Sequence, residues 1–298
     1  MAKQHQALDL TAMTILLILC ASWGLQQVSI KLVNQGISPL TQSGIRSAGA
    51  AILLLFWMLV RREPLFHKDG TLWWGIAAGL LFSGEFFLIY WGLEFTLASR
   101  SVIFLYMSPF VVALGAQLFI PGEQLALKQV VGLCCAFAGI LLAFSESLSY
   151  PTHRMLMGDC MLVGAAVFWG STTVLIKASP LSLIKPGKTL LYQLGVSAII
   201  LPIGALIKGE PGIVMINGLI IANMFYQIVW VAFITYLAWF WLVRNYPPSR
   251  LASFTFCTPL FGVLAGGWIL DEPITVKLLL ALFSVGFGIY LVNRPDAK

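Results

Sequence analysis

Arg46 and Glu85 are the side chains whose placement most invites a chemical role. Each lies inside a long apolar run, Arg46 about 6 and Glu85 about 8 residues from the end of its run on a shared side. At the rise of an α-helix these positions are about 9 and about 12 Å deep. An ionised group in hydrocarbon is costly and is a functional candidate by default. The matching depths predict a salt bridge, either a structural lock between two helices or a gate. In the alternative, Glu85 binds a proton or a substrate's ammonium group. A carboxyl buried without its partner tends to stay protonated. Glu85, read as the only acid deep in any run, is therefore the candidate for proton coupling. Lys31, Glu94, Arg100, Lys177 and Arg244 fall near run ends, where snorkelling to the interface is expected. Lys31 and Lys177 hold equivalent places in an internal repeat, so gates on opposite faces are the sharper alternative.

Aromatic residues make up 13% of the chain. Trp57, Trp73, Trp74 and Trp268 lie at run ends and read as interfacial belts. Trp23, Tyr90, Tyr106, Trp169, Tyr226, Trp230 and Trp239 lie deeper, and their N–H and O–H groups need partners that a wet cavity would supply. Rings lining such a cavity would stack flat solutes and hold cations. Helix–helix packing is the alternative for each ring. Gln26, Gln227, Ser83, Thr172, Thr173 and Thr235 add donors and acceptors at similar depth. An amino acid, which carries both charges, needs that mixture over an apolar bed.

Other chemistries are missing from the sequence. Gly187-Lys188-Thr189 matches the tail of a phosphate-binding loop, but Ser182 stands where its first glycine belongs. His5, His67 and His153 have no partners at metal-ligand or triad spacing. The five cysteines form no C-x-x-C pair and read as small apolar residues. We therefore expect no cofactor, no metal and no catalytic centre. The net charge of +6 is spread over short loops rather than one patch, so nucleic acid is not an expected partner.

The elements that must position these residues follow from composition. The 298 residues are 59% hydrophobic and 10% charged, against about 25% charged in soluble domains. Ten apolar runs, near 11–33, 40–60, 71–93, 97–119, 126–144, 157–178, 187–207, 218–243, 247–270 and 274–293, are long enough to cross a bilayer as helices. The first is too long for a signal peptide and is kept as a membrane helix. With the N-terminus inside, 12 of the 18 Lys and Arg residues fall on the cytoplasmic side, which predicts both termini there.

The two halves echo each other. Trp23-Gly24 and Lys31 recur 146 positions on as Trp169-Gly170 and Lys177. Ser99-Arg100 and Ser108-Pro109 recur 150 positions on as Ser249-Arg250 and Thr258-Pro259. Glu123, Lys128 and Gly139 recur 149 positions on as Glu272, Lys277 and Gly288. One duplication explains all of them and predicts five-helix units at 1–148 and 149–298. Five is odd, so the second unit runs through the membrane upside down to the first. Such inverted repeats permit mirror-related conformations, open inward or outward around one site. Pro109 and Pro259, mid-run, predict helix breaks beside that site. The predicted cavity is lined by helices 1, 3, 4, 6, 8 and 9. Gly75/Gly79 and Gly262/Gly266 are close-packing motifs that fit a monomer or a weak homodimer.

The ten-helix, five-plus-five plan, the two Trp-Gly pairs, the Ser/Thr-Pro steps and the following Glu123 and Glu272 resemble the drug/metabolite transporter superfamily, with the EamA-type branch fitting best. The resemblance covers about residues 11–293. Within it the chain looks like bacterial aromatic amino acid exporters of the inner membrane. That implies an all-α secondary transporter exporting aromatic and other neutral amino acids or similar metabolites, with planar cations as further cargo. An uncoupled facilitator and a lipid or lipid-linked-sugar flippase are the rival readings. One departure stands out: Arg46 follows Pro39 by seven residues, whereas Gln193 follows Pro186 at that distance.

Overall fold

The computed structural model describes residues 8–63, 69–148, 151–269 and 276–294. Helices dominate, as the apolar runs require. They are α1 (Leu10–Val33), α2 (Pro39–Val60), α3 (Leu72–Gly92), α4 (Ala98–Leu105), α5 (Ser108–Phe119), α6 (Leu127–Ala143), α7 (His153–Ala178), α8 (Pro186–Lys208), α9 (Gly218–Phe225), α10 (Tyr236–Asn245), α11 (Pro248–Phe254), α12 (Cys257–Ile269) and α13 (Val276–Asn293). A π-helical stretch, Tyr226–Thr235, joins α9 to α10. These group into ten passages, because α4–α5, α9–α10 and α11–α12 each cross as one broken or distorted helix. Eight passages have the length and hydropathy of membrane spans, and α6 is a shorter apolar helix. Leu17, Ile52, Phe56, Leu118, Ile199 and Phe283 point outward, where lipid is their solvent. The face on which α1 begins is called the N-terminal face here, and its opposite the far face.

Local chemistry sets the helix boundaries. Asp9 caps α1 by accepting from the Ala12 amide at 2.8 Å, and Thr152 caps α7 from the Met155 amide at 3.2 Å. Prolines open α2, α8 and α11, where a missing N–H costs nothing. On the far face Glu210 accepts from the amides of Leu40 and Thr41 at 3.1 and 3.0 Å, clamping the end of α8 to the start of α2. Both mid-run prolines break their helices. α4 stops at Leu105 before Pro109, and α11 stops at Phe254 before Pro259.

The Trp-Gly and Ser/Thr-Pro motifs meet in space. A Cβ on Gly24 would lie 2.8 Å from the Thr258 carbonyl oxygen and 2.7 Å from the Gly262 nitrogen. A Cβ on Gly170 would lie 3.1 Å from the Ser108 carbonyl oxygen and 2.6 Å from Val111 Cβ. Each glycine thus lets one helix rest on the break in another, α1 on α12 and α7 on α5. The two contacts are repeat mates, and each joins one half of the chain to the other. α2 with α8 and α6 with α13 likewise pack across the halves. Gly24→Ala forces backbone apart and should cost about 1–3 kcal/mol, as overpacking does. Gly262→Ala should be near neutral, since its Cβ would lie 3.5 Å from the nearest atom. Thermal unfolding of the two variants in detergent tests the contrast. Gly75 and Gly79 pack on Tyr192 and Val196 of α8 within the same chain, so that motif is used internally.

Two expectations about charges are corrected. Arg100 does not snorkel. It is buried against Phe104 and pairs with Asp159 of α7, which also accepts from Thr96 Oγ1 at 2.7 Å. Glu85 is therefore not the only deep acid. Asp159 was hidden because its run was read as starting at 157, whereas α7 begins at His153 and buries Asp159 more than a turn inside.

Candidate functional site: a central ring-lined cavity

A cavity of about 180 Å³ lies between the halves. Its walls come from α1, α3, α4, α7, α8, α10 and α12, so the seventh passage joins the six expected. Trp23, Gln26, Tyr90, Tyr106, Trp169 and Trp239 all line it, with Thr172, Thr173, Glu85 and Pro259. The repeat-related Trp23 and Trp169 thus meet the same space. Trp23 stands edge-on to Trp239 and Tyr236 at centroid distances of 5.5 and 6.2 Å, and Tyr106 stands edge-on to Trp169 at 5.7 Å. Trp23 Nε1 donates to Thr235 Oγ1 at 2.9 Å, whose hydroxyl donates onward to the Val231 carbonyl at 2.6 Å. The hydrogen bond fixes Trp23, and the edge-on contacts hold the other rings steeply tilted to their neighbours.

Not every expected residue reaches the cavity. Trp230 donates to Ser22 Oγ at 2.9 Å and Tyr226 to the Ser22 carbonyl at 2.8 Å, both on the outer side of α1. Gln227 is fully buried, donating to Ser29 and Gln42 at 3.2 and 3.1 Å, and Gln42 donates to Asn34 at 2.5 Å. That network fastens α1, α2 and the π-helical stretch. Ser83 turns back to the Gly79 carbonyl. Pro109 is packed behind the wall, while Pro259 is in it.

Arg46 and Glu85 do not form the expected salt bridge. Among the described residues no ion contact links them. The Arg46 guanidinium instead lies over the Phe86 ring at 4.3 Å and reaches Ser43 Oγ at 3.4 Å. Its Nε and Nη1 have no hydrogen-bond partner among the described residues, although the residue is 0% exposed. Glu85 lines the cavity and has no hydrogen bond to the described residues. Gln193, the repeat mate of Arg46, is also 0% exposed and lines the cavity, with both amide atoms unpartnered among the described residues. The Tyr90 and Thr258 hydroxyls line the same wall. Buried polar groups are normally satisfied, so the Gln193 amide is available to bond a molecule held in the cavity. Sequence reading missed Phe82, Phe86 and Tyr236, which were indistinguishable from packing aromatics. It noted Gln193 only as a departure from symmetry.

The cavity reaches the far face and stops short of the other. Gln27, Ile30, Leu93 and Ser101 line it near the far-face ends of α1, α3 and α4. On the N-terminal face, Lys177 is buried. Its ammonium donates to the carbonyls of Val243, Arg244 and Tyr246 at 2.8, 3.1 and 3.1 Å, a capping role rather than snorkelling. Tyr246 donates to Asp9 at 3.0 Å. Ser249 donates to Glu123 at 3.1 Å, and burial pushes the Glu123 carboxyl above the usual range despite that bond. Lys188 donates to Asp69 at 2.7 Å and, with Thr71, holds its carboxyl well below the usual range. Lys31, by contrast, is exposed. On the far face Lys208 pairs with Glu94. Glu272, Trp268, Gly266, His5 and His67 lie outside the described residues or side chains. Among the described residues no cluster of acids, histidines and cysteines could hold a metal.

Ten passages in two inverted sets of five, around a cavity open to one face, have the architecture of a membrane transporter. The chain belongs to the EamA-like transporter family, whose model matches it twice, at residues 10–145 and 156–294. It is 26% identical over 282 residues to the uncharacterized transporter YvbV of Bacillus subtilis, covering 95% of this chain and 91% of that one. It is also 26% identical over 284 residues to a probable amino-acid metabolite efflux pump of Escherichia coli, covering 92% of each. A solved crystal structure with 14% identity shares the fold, with a TM-score of 0.79 over 93% of this chain and 94% of the other.

Proposed function

We propose that the protein exports aromatic and other neutral amino acids, or closely related metabolites, across a bacterial cytoplasmic membrane by alternating access, with both termini in the cytoplasm. The observation that carries this reading is the cavity itself. A bed of rings from both halves surrounds one carboxyl, Glu85, that has no hydrogen-bond donor among the described residues, with the unpartnered Gln193 amide in the same wall. A zwitterion with a flat side chain satisfies all three features. Its ammonium meets Glu85, its carboxylate takes hydrogen bonds from the wall, and its ring stacks on tryptophan. The name of the Escherichia coli relative points to the same class of cargo.

Purified protein in liposomes should move labelled aromatic amino acids. Trp169→Ala should lower flux about tenfold or more at unchanged expression, since loss of a buried ring contact is worth roughly 1–3 kcal/mol. Absence of flux for any amino acid would sink the proposal, and wild-type flux in Trp169→Ala would remove that ring from the site. Accumulation beyond the imposed gradient separates a coupled exporter from a facilitator.

A further inference from the structure

The repeat is symmetric in sequence but not in conformation. Ile30, Ser101, Val102 and Leu105 line the cavity on the far-face side. Their repeat mates Ile176, Leu251, Ala252 and Thr255 are shut in the core on the N-terminal side. α7 packs against both α10 and α11 there, whereas among the described residues α1 makes no packing of that extent with α3 or α4. The two lysines follow the same division. Lys177 is locked onto the carbonyls where α10 gives way to α11. Lys31 makes no hydrogen bond or ion pair among the described residues.

The geometry also names the acceptors that Lys31 lacks. α4 begins at Ala98 and α11 at Pro248, 150 positions apart. Counting back from those starts, the counterparts of Val243, Arg244 and Tyr246 are Leu93, Glu94 and Thr96. Leu93 lines the cavity mouth together with Ile30, one residue before Lys31. An ammonium has three donors, and a helix C-terminus presents carbonyls with a partial negative charge. An inverted repeat exchanges the roles of its halves between its two states.

Building on the transport reading above, we propose that Lys31 and Lys177 are alternating latches. Lys177 closes the N-terminal face in the conformation seen. Lys31 closes the far face in the other conformation, by donating to the carbonyls of Leu93, Glu94 and Thr96. Each latch holds one state, and a transport cycle requires both.

Hydrogen exchange on the full chain in lipid nanodiscs, with flux measured in parallel, tests this. Lys177→Met should speed amide exchange across 243–251 about tenfold, as loss of a charged hydrogen bond does, and slow it across 93–97. Lys31→Met should shift the balance the other way, leaving 243–251 protected and 93–97 exchanging at least as fast as in the wild type. Both should lower flux, and the double variant should restore the wild-type balance of exchange. Shifts in the same direction, or a Lys31→Met protein with unchanged exchange and flux, would overturn the proposal. Lys31 is exposed, so its variant tests the idea even if Lys177→Met fails to fold. Wild-type protein that moves no solute would defeat the transport reading, whereas exchange reports the latches independently of cargo.

Discussion

Replacing Arg100 with alanine should destabilise the protein by about 3–5 kcal/mol, the range seen when one partner of a buried ion pair is removed. The side chains of Arg100 and Asp159 are 3% and 5% exposed. Truncation would leave the Asp159 carboxylate in the bundle with Thr96 as its remaining partner among the described residues. The penalty comes from the stranded charge rather than from the attraction lost. Removing both charges with Arg100→Leu and Asp159→Leu should therefore recover most of the stability, because a well-packed apolar pair can match a buried ion pair. Thermal unfolding in detergent of the two single variants and the double gives the comparison. An Arg100→Ala protein within about 0.5 kcal/mol of the wild type, the usual range for surface changes, would show that the pair is hydrated. The pair also joins α4 of the first half to α7 of the second, so Arg100→Ala should loosen that seam before the rest of the bundle.

The second large effect is expected at Glu85. Glu85→Gln keeps the shape and removes the charge. Flux of zwitterionic amino acids should fall by about tenfold or more, since a hydrogen bond to a charged group is worth about 1.5–3 kcal/mol. Wild-type protein should prefer an amino acid to its deaminated analogue, and the variant should lose that preference. If Glu85 also carries the coupling proton, wild-type flux will depend on pH and the variant's will not. Liposome flux measured across a pH series with both cargoes separates the roles. Lost preference with retained pH dependence assigns binding alone, and the reverse assigns coupling alone. A variant unchanged in both respects would exclude Glu85 from the mechanism.

These two residues show how far sequence reading reached. Charge depth along a run singled out Glu85, which lines the cavity, because an acid eight residues inside an apolar stretch has no cheap explanation. The same rule passed over Asp159, because a run boundary four residues out of place made a buried acid look interfacial. It also paired Arg46 with Glu85, since equal depth is visible in sequence while azimuth around the helix is not. In the fold Arg46 turns onto Phe86 and leaves Glu85 to the cavity. Trp230 and Gln227 failed for that reason too. Their depth was right, but Trp230 turns to the outer side of α1 and Gln227 is buried between α1 and α2.

By itself the sequence determined the number of passages, their inversion and the positions of the helix breaks. Those depend on apolar length, chain parity and proline chemistry, each a property of the covalent chain. Only the tertiary structure decided which polar groups share the cavity, that Gly24 and Gly170 seat one half on the kinks of the other, and which face stands open. Each of those depends on rotation about helix axes and on how two nearly identical halves break their symmetry, and apolar periodicity constrains neither.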